Sequence, residues 1–456
     1  MPISGCQDRG SLVKYAFYMN IIQAAAQLRI FTFEEHQIGR HLIDRDALNV
    51  IETLQKAGFE AYAVGGCVRD LLLGADPKDW DVSTSAEPEE IKKLFRACIL
   101  IGKRFRLAHV RFGRNIIEVS TFRKGDNKED QIVLSDNVYG SAEEDALRRD
   151  FTINALFYDP KTETIIDYVN GYADVAARYL RSIGPAHLRF KQDPVRMIRL
   201  LKFQARFDLE IDHEALLGLA ECRDDILKSS QARVFEELLR MLELGYSAKF
   251  FHLLHEQRFL MALLPTLAKF LSDKAHPDRH GKVFSMLELI DKTQKERVEI
   301  GKRPLSRPVL LASLLFPYME HHLHTHFLSQ GTIPHLGEVQ TESRTAINEV
   351  FSTFFILPNQ LRYATSTVLA TQYRFCPLQP GRRPSYKVPN DPDFKHALKF
   401  FNIRSLLDPT LAANWERWNS AYEKYKIQNP NRGQAIGDPS FPRSDSPNRK
   451  RRRRSR

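Results

Sequence analysis

The sequence predicts an α+β protein in which a small sheet occupies the N-terminal part and helices make up the rest. Short apolar runs such as 61–64 and 116–123 have the length and composition of strands. Helical stripes lie between these runs as far as residue 174. Beyond that point strand signals fade, and amphipathic helices recur over 229–360. With 456 residues and 43% hydrophobic content, the chain can bury the cores of two or more domains.

Charge and cysteine content restrict the class of partner and the compartment. The formal net charge is +11, which suits a polyanionic partner. Much of the excess lies in residues 430–456, which carry nine Lys and Arg against two Asp and end in RKRRRRSR. The five cysteines show no CxxC spacing, which favours reduced thiols in the cytoplasm over a disulfide frame. The most apolar N-terminal stretch, 12–30, is interrupted by polar side chains, so we expect no membrane span.

The first chemical signal is a glycine turn. Gly65 and Gly66 follow the predicted strand 61–64 and precede a predicted helix over 68–73 that Gly74 ends. A glycine turn before a helix N-terminus presents backbone N–H groups to an anion. This turn is therefore a candidate phosphate site.

Paired carboxylates follow on the next predicted strand. Asp79 and Asp81 are two residues apart, so both side chains are expected on one face of the strand. Two adjacent negative charges repel, and a bound Mg²⁺, which prefers oxygen ligands, would relieve that repulsion. Glu118, within the run 116–123, is a candidate third carboxylate if its strand lies beside the first.

Local signals predict further elements around these strands. A helical stripe covers 46–58, and Pro88 stands at the start of a second helix over 87–95. Residues 124–136 are polar and aperiodic, which indicates a flexible loop. Pro194 stands at an early position of the first helix of the all-helical part.

Together the motifs resemble the nucleotidyltransferase head shared by tRNA CCA-adding enzymes and bacterial poly(A) polymerases. The resemblance rests on GGCVRD at 65–70, DWDVS at 79–83 and RRDFTINAL at 148–156. LIGKRFRLAHV at 100–110 resembles a signature of the poly(A) polymerase branch. A C-terminal stretch, GRRP at 381–384 with 393–404, resembles that branch's RNA-binding motif. The resemblance covers roughly residues 36–405.

The resemblance implies a division into domains. It places the nucleotidyltransferase head, with a small mixed sheet, at 41–174 and a helical neck with a base-recognition motif at 175–235. A helical body and RNA-binding region follow at 236–427. Residues 1–40 are expected to be a helical or poorly ordered leader, and 428–456 a disordered basic tail.

The resemblance also implies site residues. Two Mg²⁺ ions would be held by Asp79 and Asp81, with Glu118 or Asp150 as the third catalytic acid, and ATP would be the substrate. The residues expected at the nucleotide are Gly65, Gly66, Arg69, Arg149, Asn154, Asp193 and Arg196. Those expected to contact RNA are Lys103, Arg104, Arg382, Arg383 and Arg404.

The expected base reader is a pair of side chains on one helix face. Asp193 and Arg196 are three residues apart, a spacing that also suits an ordinary ion pair. An Asp can accept from an exocyclic amine while an Arg donates to the adjacent ring nitrogen, a pattern that fits adenine and cytosine but not guanine or uracil. Gln192 stands where the family usually has Glu, and it can still brace the Arg by hydrogen bonding.

Two further features are interpreted conservatively. Asn170 replaces a glycine in a turn of the family, and we expect the turn to persist because Asn tolerates left-handed backbone. The histidines at 321, 322, 324 and 326 suggest a metal site. Without nearby Cys or an evident acidic partner, a solvated helix end is the favoured interpretation.

The resemblance thus implies a template-independent poly(A) polymerase that adds AMP from ATP to RNA 3′ ends, releases pyrophosphate and promotes RNA decay. Expected partners are mRNA, decay intermediates, tRNA and RNA-decay proteins. One alternative is a tRNA CCA-adding enzyme, against which the two branch-specific motifs stand. The other is a non-catalytic RNA-binding protein, which would have no use for the three carboxylates Asp79, Asp81 and Glu118.

Overall fold

Among the residues that the structure describes, strands occur only in the N-terminal half, as the sequence predicts. A computed structural model of the chain describes residues 28–102, 107–124, 139–379 and 385–429. The strands within these ranges are β1 (Arg29–Phe31), β2 (Ala61–Val64), β3 (Asp81–Thr84), β4 (Cys98–Ile101), β5 (Leu107–Phe112), β6 (Asn115–Thr121), β7 (Leu156–Asp159), β8 (Thr164–Asp167), β9 (Tyr179–Leu180) and β10 (Glu210–Ile211).

Eight of these strands form one mixed sheet in the order β1-β8-β7-β2-β3-β6-β5-β4. All its pairings are antiparallel except that of β3 with β6, which is parallel. This parallel pairing sets Asp81 opposite Glu118. Strands β9 and β10 pair separately in parallel. The α+β class is confirmed, and the sheet is wider than the strand signals alone suggested.

Helices pack beside the sheet and are the main elements of the described part of the C-terminal half. Within the described ranges they are α1 (Phe33–His36), α2 (Arg45–Lys56), α3 (Gly66–Leu72), α4 (Pro88–Leu94), α5 (Ala142–Leu147), α6 (Gly171–Ala176), α7 (Ala186–Gln192), α8 (Val195–Phe207), α9 (His213–Cys222), α10 (Gln231–Leu244), α11 (Ser247–Glu256), α12 (Phe259–Leu263), α13 (Pro265–Leu271), α14 (Asp278–Glu299), α15 (Arg307–His326), α16 (Leu336–Phe351), α17 (Asn359–Phe375), α18 (Phe394–Leu407) and α19 (Ala412–Gln428). Short 3₁₀ turns lie at Arg40–Leu42, Thr152–Asn154, Arg223–Lys228, Leu328–Gln330 and Pro409–Leu411.

Helix α2 confirms the stripe predicted over 46–58. The Asp44 side chain caps its N-terminus by accepting from the backbone N–H groups of Asp46 and Ala47. The buried residues of α2 are Ala47, Val50, Ile51 and Leu54, which recur at helical spacing. The helix thereby covers the sheet beside β2 and leads through residues 57–60 into that strand, which the glycine turn follows.

The expected helical or poorly ordered leader over 1–40 is corrected at residues 29–31, which form a strand. Strand β1 pairs antiparallel with β8, so it forms one edge of the main sheet. His36 is buried and its Nε2 lies 3.1 Å from the backbone oxygen of Glu163. A three-residue strand carries too little pattern to be recognised in the sequence, since its pairing is set by its partner strand. Residues 1–27 lie outside the described residues, as do most of the predicted loop 124–136 and nearly all of the predicted tail.

The described residues divide into two compact units, one ending at Val234 and the other beginning at Phe235. In the second unit, α15 is buried almost all around over 308–317. An aromatic cluster closes the C-terminal part of this unit, with the ring of Trp418 5.1 Å from Phe375 and 5.9 Å from Phe394. No helix among the described residues is both long and apolar enough to cross a membrane.

Candidate active site

The glycine turn joins β2 to α3. Gly65 has φ +75° and ψ −118°, a conformation available to glycine and strongly unfavourable for other residues. A Cβ built on Gly65 would lie 3.0 Å from Arg149 Nη1 and 3.4 Å from the backbone oxygen of Asn154. The turn is therefore packed directly against the segment that carries two of the expected nucleotide-binding residues.

The three expected metal carboxylates lie at one end of β3. Asp81 is the first residue of this strand, while Asp79 precedes it in an exposed bend rather than on the strand. Glu118 lies on β6 in register with Asp81, so the two side chains share a face of the sheet. The prediction that Asp79 and Asp81 share a strand face is corrected, because the strand begins only at Asp81.

These carboxylates repel one another. Burial, together with the negative charges of Glu118 and Asp79, raises the pKa of Asp81 to about 6. The positive charge of Arg149 acts in the opposite direction. Glu118 Oε1 also lies 3.5 Å from His109 Nε2 on the neighbouring strand β5. This corner therefore favours a cation.

The three carboxylates do not form a closed metal site by themselves. Among the described residues, three ligand atoms converge within 4.8 Å only in a histidine cluster of the second unit, not at Asp79, Asp81 and Glu118. Mg²⁺ usually keeps several waters and binds through one or two carboxylates together with substrate phosphates. An open set of carboxylate oxygens therefore suits Mg²⁺ bound with a nucleotide.

A chain of buried polar side chains links the glycine turn to α8. Arg69 donates to Asp70 Oδ1 and to Asn154 Oδ1. Its guanidinium lies 4.7 Å from the ring of Phe203 and 4.8 Å from that of Phe207. Because Arg69 is only 4% exposed, it is placed to hold the turn against α8 rather than to reach a phosphate itself.

Asp150 lies at the centre of this network of buried polar side chains. Its Oδ1 accepts from Asn154 Nδ2 at 2.9 Å, and its Oδ2 accepts from Arg199 Nε at 2.7 Å. Burial alone would raise the pKa of Asp150, but Arg199, Asn154 and Arg196 together hold it well below its usual range. With both oxygens engaged in this way, Asp150 is placed as a positioning residue, and the geometry favours Glu118 as the third acid.

Arg149 lies between the turn and the carboxylates. Its guanidinium donates to Asp145 Oδ2 at 2.8 Å, to the backbone oxygen of Asn154 at 3.3 Å and to Ser83 Oγ at 3.3 Å. Ser83 is on β3, two residues after Asp81. Arg149 thus holds a positive charge beside the carboxylates, at the position where a nucleotide phosphate would approach the turn.

The expected base reader has a different geometry from that predicted. Helix α7 ends before Asp193 and α8 begins after Pro194, so Asp193 and Arg196 do not share a helix face. The Asp193 carboxylate instead accepts two hydrogen bonds from Arg233, at 2.7 and 3.0 Å. Gln192 accepts from Arg189 at 3.3 Å rather than bracing Arg196.

One guanidinium nitrogen of Arg196 has no hydrogen-bond acceptor among the described residues. Its Nη2 donates to the backbone oxygen of Arg148 at 3.2 Å, while its buried Nη1 has no hydrogen-bond partner among the described residues. An unsatisfied buried donor costs about 1–3 kcal/mol, so a bound acceptor would be favourable there. Burial lowers the pKa of Arg196, and Asp150 and Asp193 oppose that shift.

One of the five expected RNA contacts lies within the described residues, and it is corrected. Arg404 stacks on the ring of Phe316 at 4.1 Å and donates to Gln372 Oε1 at 3.3 Å. Its side chain is only 13% exposed, so it stabilises the second unit instead of presenting a charge to RNA. The other four, Lys103, Arg104, Arg382 and Arg383, lie outside the described residues.

Sequence reasoning missed several residues that complete the site. Arg199 pairs with Asp150, and Arg206 donates to Asp70 at 2.7 Å. The spacing of Arg196, Arg199 and Arg206 by three and seven places them along one face of α8, a signal that the sequence did contain. His109 had no such signal, because only the strand register brings it beside Glu118.

Comparison with known proteins identifies the family to which the chain belongs. A model described as the poly A polymerase head domain matches residues 61–181. A second model, described as a probable RNA and SrmB binding site of polymerase A, matches residues 208–271.

Curated relatives match over longer ranges. Poly(A) polymerase I of Salmonella typhi is 34% identical over 400 residues, which are 84% of this chain and 83% of that relative. Poly(A) polymerase I of Haemophilus influenzae is 39% identical over 66% of this chain and 65% of that relative. A CCA-adding enzyme of Streptococcus mutans is also 39% identical, but over only 45% of this chain and 51% of that relative.

A solved structure supports the fold. The crystal structure of the Bacillus stearothermophilus CCA-adding enzyme in complex with CTP superposes with a TM-score of 0.55 and 24% identity, covering 83% of this chain and 82% of that one. At this identity the likeness shows the fold alone. The relatives named poly(A) polymerase I extend well beyond the range shared with the CCA-adding relative. The chain therefore belongs to the poly(A) polymerase family of nucleotidyltransferases, the polynucleotide adenylyltransferases.

Proposed function

We propose that the protein adds AMP from ATP to RNA 3′ ends without a template, releases pyrophosphate and thereby promotes RNA decay in the cytoplasm. The observation that carries the proposal is the register of Asp81 with Glu118 on adjacent parallel strands, with the glycine turn at the end of the neighbouring strand β2. A protein that only bound RNA would gain nothing from partly buried carboxylates that repel each other.

Two Mg²⁺ ions fit this corner. Asp79, Asp81 and Glu118 offer the hard oxygen donors that Mg²⁺ prefers. The pKa of Asp81 is raised first by burial and then by the negative charge of Glu118, which a dication would offset. When bound, the ions would activate the RNA 3′-hydroxyl and stabilise the charge on the departing pyrophosphate. We place Asp150 outside this set, because its carboxylate oxygens bond to Arg199 and Asn154.

The chain's own residues would position the nucleotide. The backbone N–H group of Gly66 and the guanidinium of Arg149 would bind the triphosphate, while Gly65, whose own N–H donates to the backbone oxygen of Leu156 at 3.1 Å, would form the turn that presents them. Arg69 and Asn154 would keep the turn in place through their contacts with each other and with α8.

Base selection would fall to Arg196 and Asp193. The buried Nη1 of Arg196 needs an acceptor, which a ring nitrogen of adenine supplies. The Asp193 carboxylate uses two of its roughly four acceptor positions on Arg233 and can accept from the exocyclic amine with another. Cytosine presents the same pattern, so this pair alone does not decide between ATP and CTP.

RNA would be bound mainly through its phosphates. The residues we propose for these contacts are Lys103, Arg104, Arg382 and Arg383, together with the basic segment 430–456. Messenger RNA, decay intermediates and tRNA ends are the proposed substrates, and RNA-decay proteins the proposed partners. We also propose a division into three domains. The head covers 41–174 and also includes the segment 29–40, which contains β1, the neck covers 175–235, and the body covers 236–427.

An RNA-extension assay with a paired control tests the catalytic proposal. Wild type, Asp81→Ala and Asp76→Ala would be incubated with end-labelled unstructured RNA, ATP and Mg²⁺, and RNA retention measured in parallel. Asp76 is an exposed carboxylate five residues before Asp81 and serves as the matched control.

We expect Asp81→Ala to lose extension by about a thousandfold or more, since a metal contributes several kcal/mol to the transition state. Asp76→Ala should extend RNA like wild type, and all three proteins should retain RNA alike. If wild type retained RNA without extending it under any condition with Mg²⁺, the enzyme proposal would fall.

A further inference from the structure

The histidines near the end of α15 meet acidic residues of α16. On α15, Tyr318, His322 and His326 follow one another at intervals of four, so they lie on one helix face. On α16, Glu342 and Glu349 are seven residues apart and also share a face. The two faces interleave in the order Tyr318, Glu349, His322, Glu342, His326.

The contacts between these interleaved side chains, which form a ladder of ion pairs, are short. Glu342 Oε2 lies 3.0 Å from His322 Nδ1 and 3.1 Å from His326 Nδ1. His322 Nε2 lies 3.2 Å from Glu349 Oε2 on its other side. Within the described part of the chain, His322, His326 and Glu342 are the one group of three candidate ligands whose donor atoms lie within 4.8 Å of one another.

The burial of His322 independently supports a bound ligand at this cluster. Its side chain is only 5% exposed, yet neither ring nitrogen makes a hydrogen bond within the described residues. The carboxylate oxygens are near enough but lie off the directions in which a ring N–H would point. A buried imidazole without hydrogen bonds is expensive, so this geometry calls for a different partner.

We propose that His322, His326 and Glu342 bind Zn²⁺ or a similar late first-row transition-metal ion. Two imidazole nitrogens and one carboxylate oxygen form a donor set that suits Zn²⁺ and not Mg²⁺. Metal–ligand distances of about 2.0–2.2 Å in a tetrahedron separate neighbouring ligand atoms by about 3.3 Å. The observed separations of 3.0 and 3.1 Å are close to that value.

Glu349 supplies the support that a metal-bound histidine usually has. With Nδ1 of His322 on the ion, its Nε2 would carry the proton, and Glu349 Oε2, 3.2 Å away but off the present N–H direction, would become its acceptor once the ring turned to meet the ion. Glu349 Oε2 in turn accepts a hydrogen bond from Tyr318 at 2.7 Å. Such a carboxylate fixes the tautomer and the orientation of the ring.

Neighbouring histidines are excluded from the ligand set by their surroundings. Both ring nitrogens of His321 lie within 3.3 Å of Arg279 Nη2, and His324 is exposed. A cavity of about 540 Å³ adjoins His322 and His326. It provides an entry path and room for a water as the remaining ligand.

The role of the ion would be structural. It would join α15 to α16 across the connection 327–335, so its binding would stabilise the folded second unit by mass action. Our interpretation of these histidines as a solvated helix end is therefore revised. The sequence could not show the acidic partners, because they come from the next helix.

Metal binding by untagged, metal-stripped full-length protein tests the proposal. Uptake of Zn²⁺ would be measured by titration calorimetry and by metal analysis after dialysis, with Mg²⁺ as the comparison ion and the visible spectrum of Co²⁺ as a probe of the ligand geometry. The ligand variants are His326→Ala and Glu342→Gln, and the matched control is His324→Ala. Asp81→Ala separates this site from the carboxylates of the head.

We expect one equivalent of Zn²⁺ in wild type, His324→Ala and Asp81→Ala, with a rise in unfolding temperature. His326→Ala and Glu342→Gln should bind at least tenfold more weakly and lose that rise. Glu349→Gln should weaken binding by about 10–100-fold, as expected for a residue that orients a ligand. His326 is half-exposed, so its variant should fold even if others do not.

Two results would overturn the proposal. In one, wild type takes up no Zn²⁺ at micromolar concentration, which would make the cluster an ion-pair ladder only. In the other, His326→Ala binds as wild type does while remaining folded by circular dichroism.

Discussion

Substituting Gly65 with Ala should separate the glycine turn's role in activity from its role in folding. Gly65 has positive φ, and a methyl group there would approach Arg149 Nη1 to 3.0 Å. Gly74 also has positive φ, +72°, but nothing lies within 4 Å of a Cβ built there. Gly74→Ala is therefore a control that carries backbone strain without the contact.

The magnitudes follow from these two differences. The conformation of Gly65 should make an alanine there unfavourable by about 1–3 kcal/mol in the free energy of unfolding. For Gly74 in a left-handed conformation the corresponding figure is about 1–2 kcal/mol. Only the first substitution displaces Arg149, by a few tenths of an ångström, because the contact is tighter than ordinary side-chain contacts. We expect kcat/KM for ATP to fall tenfold or more in Gly65→Ala and to stay within twofold in Gly74→Ala.

The assay measures ATP-dependent RNA extension at a temperature where both variants are folded, with urea unfolding of each in parallel. Equal destabilisation with unequal activity would support the turn as part of the nucleotide site. If folded Gly65→Ala kept the kcat/KM of wild type, or if both variants lost activity equally, the assignment of the turn to phosphate binding would be refuted.

Four further substitutions test other contacts. Arg199→Ala should destabilise the protein by about 2–3 kcal/mol in urea unfolding, less than a fully buried pair because Arg199 is a third exposed. Because its pKa is depressed in the folded protein, the ionised Asp150 carboxylate stabilises the fold above about pH 4, the usual carboxyl range, and this contribution is lost on acidification. Asp150→Asn should therefore make the free energy of unfolding depend less steeply on pH at acidic pH. Arg196→Ala should lower kcat/KM for ATP by about 10–100-fold while RNA affinity stays unchanged, since a hydrogen bond to a charged group is worth about 1.5–3 kcal/mol; unchanged nucleotide kinetics would contradict its role as a base reader. Arg404→Ala should lower the unfolding temperature through loss of its stack on Phe316, and its RNA affinity and salt dependence should match wild type.

Local pattern accounts for much of the head. The helix α2, the strand β2 and the turn at Gly65 follow from spacing and from glycine's conformational freedom, and each appears where it was expected. Asn170 takes the left-handed conformation, with φ 63° and ψ 27°, that its place in the turn requires, as predicted. These features depend on residues close together in the chain, which is why the sequence contains them.

Long-range contacts account for what the sequence did not show. Asp193 binds Arg233, forty residues away, instead of the neighbouring Arg196. Arg404 was expected at a surface because it is charged, whereas stacking on an aromatic ring allows it to be buried. The acidic partners of His322 belong to another helix. In each case the deciding partner is set by tertiary packing, on which local spacing carries no information.

The most direct test of the central claim supplies each nucleotide separately. Purified protein and Mg²⁺ would be incubated with an unstructured RNA and with tRNA lacking its terminal CCA, and product lengths read on a gel. Our account predicts a long ladder on the unstructured RNA with ATP alone. Addition that stops after three nucleotides, only on tRNA and only with CTP and ATP together, would contradict it and indicate a CCA-adding enzyme.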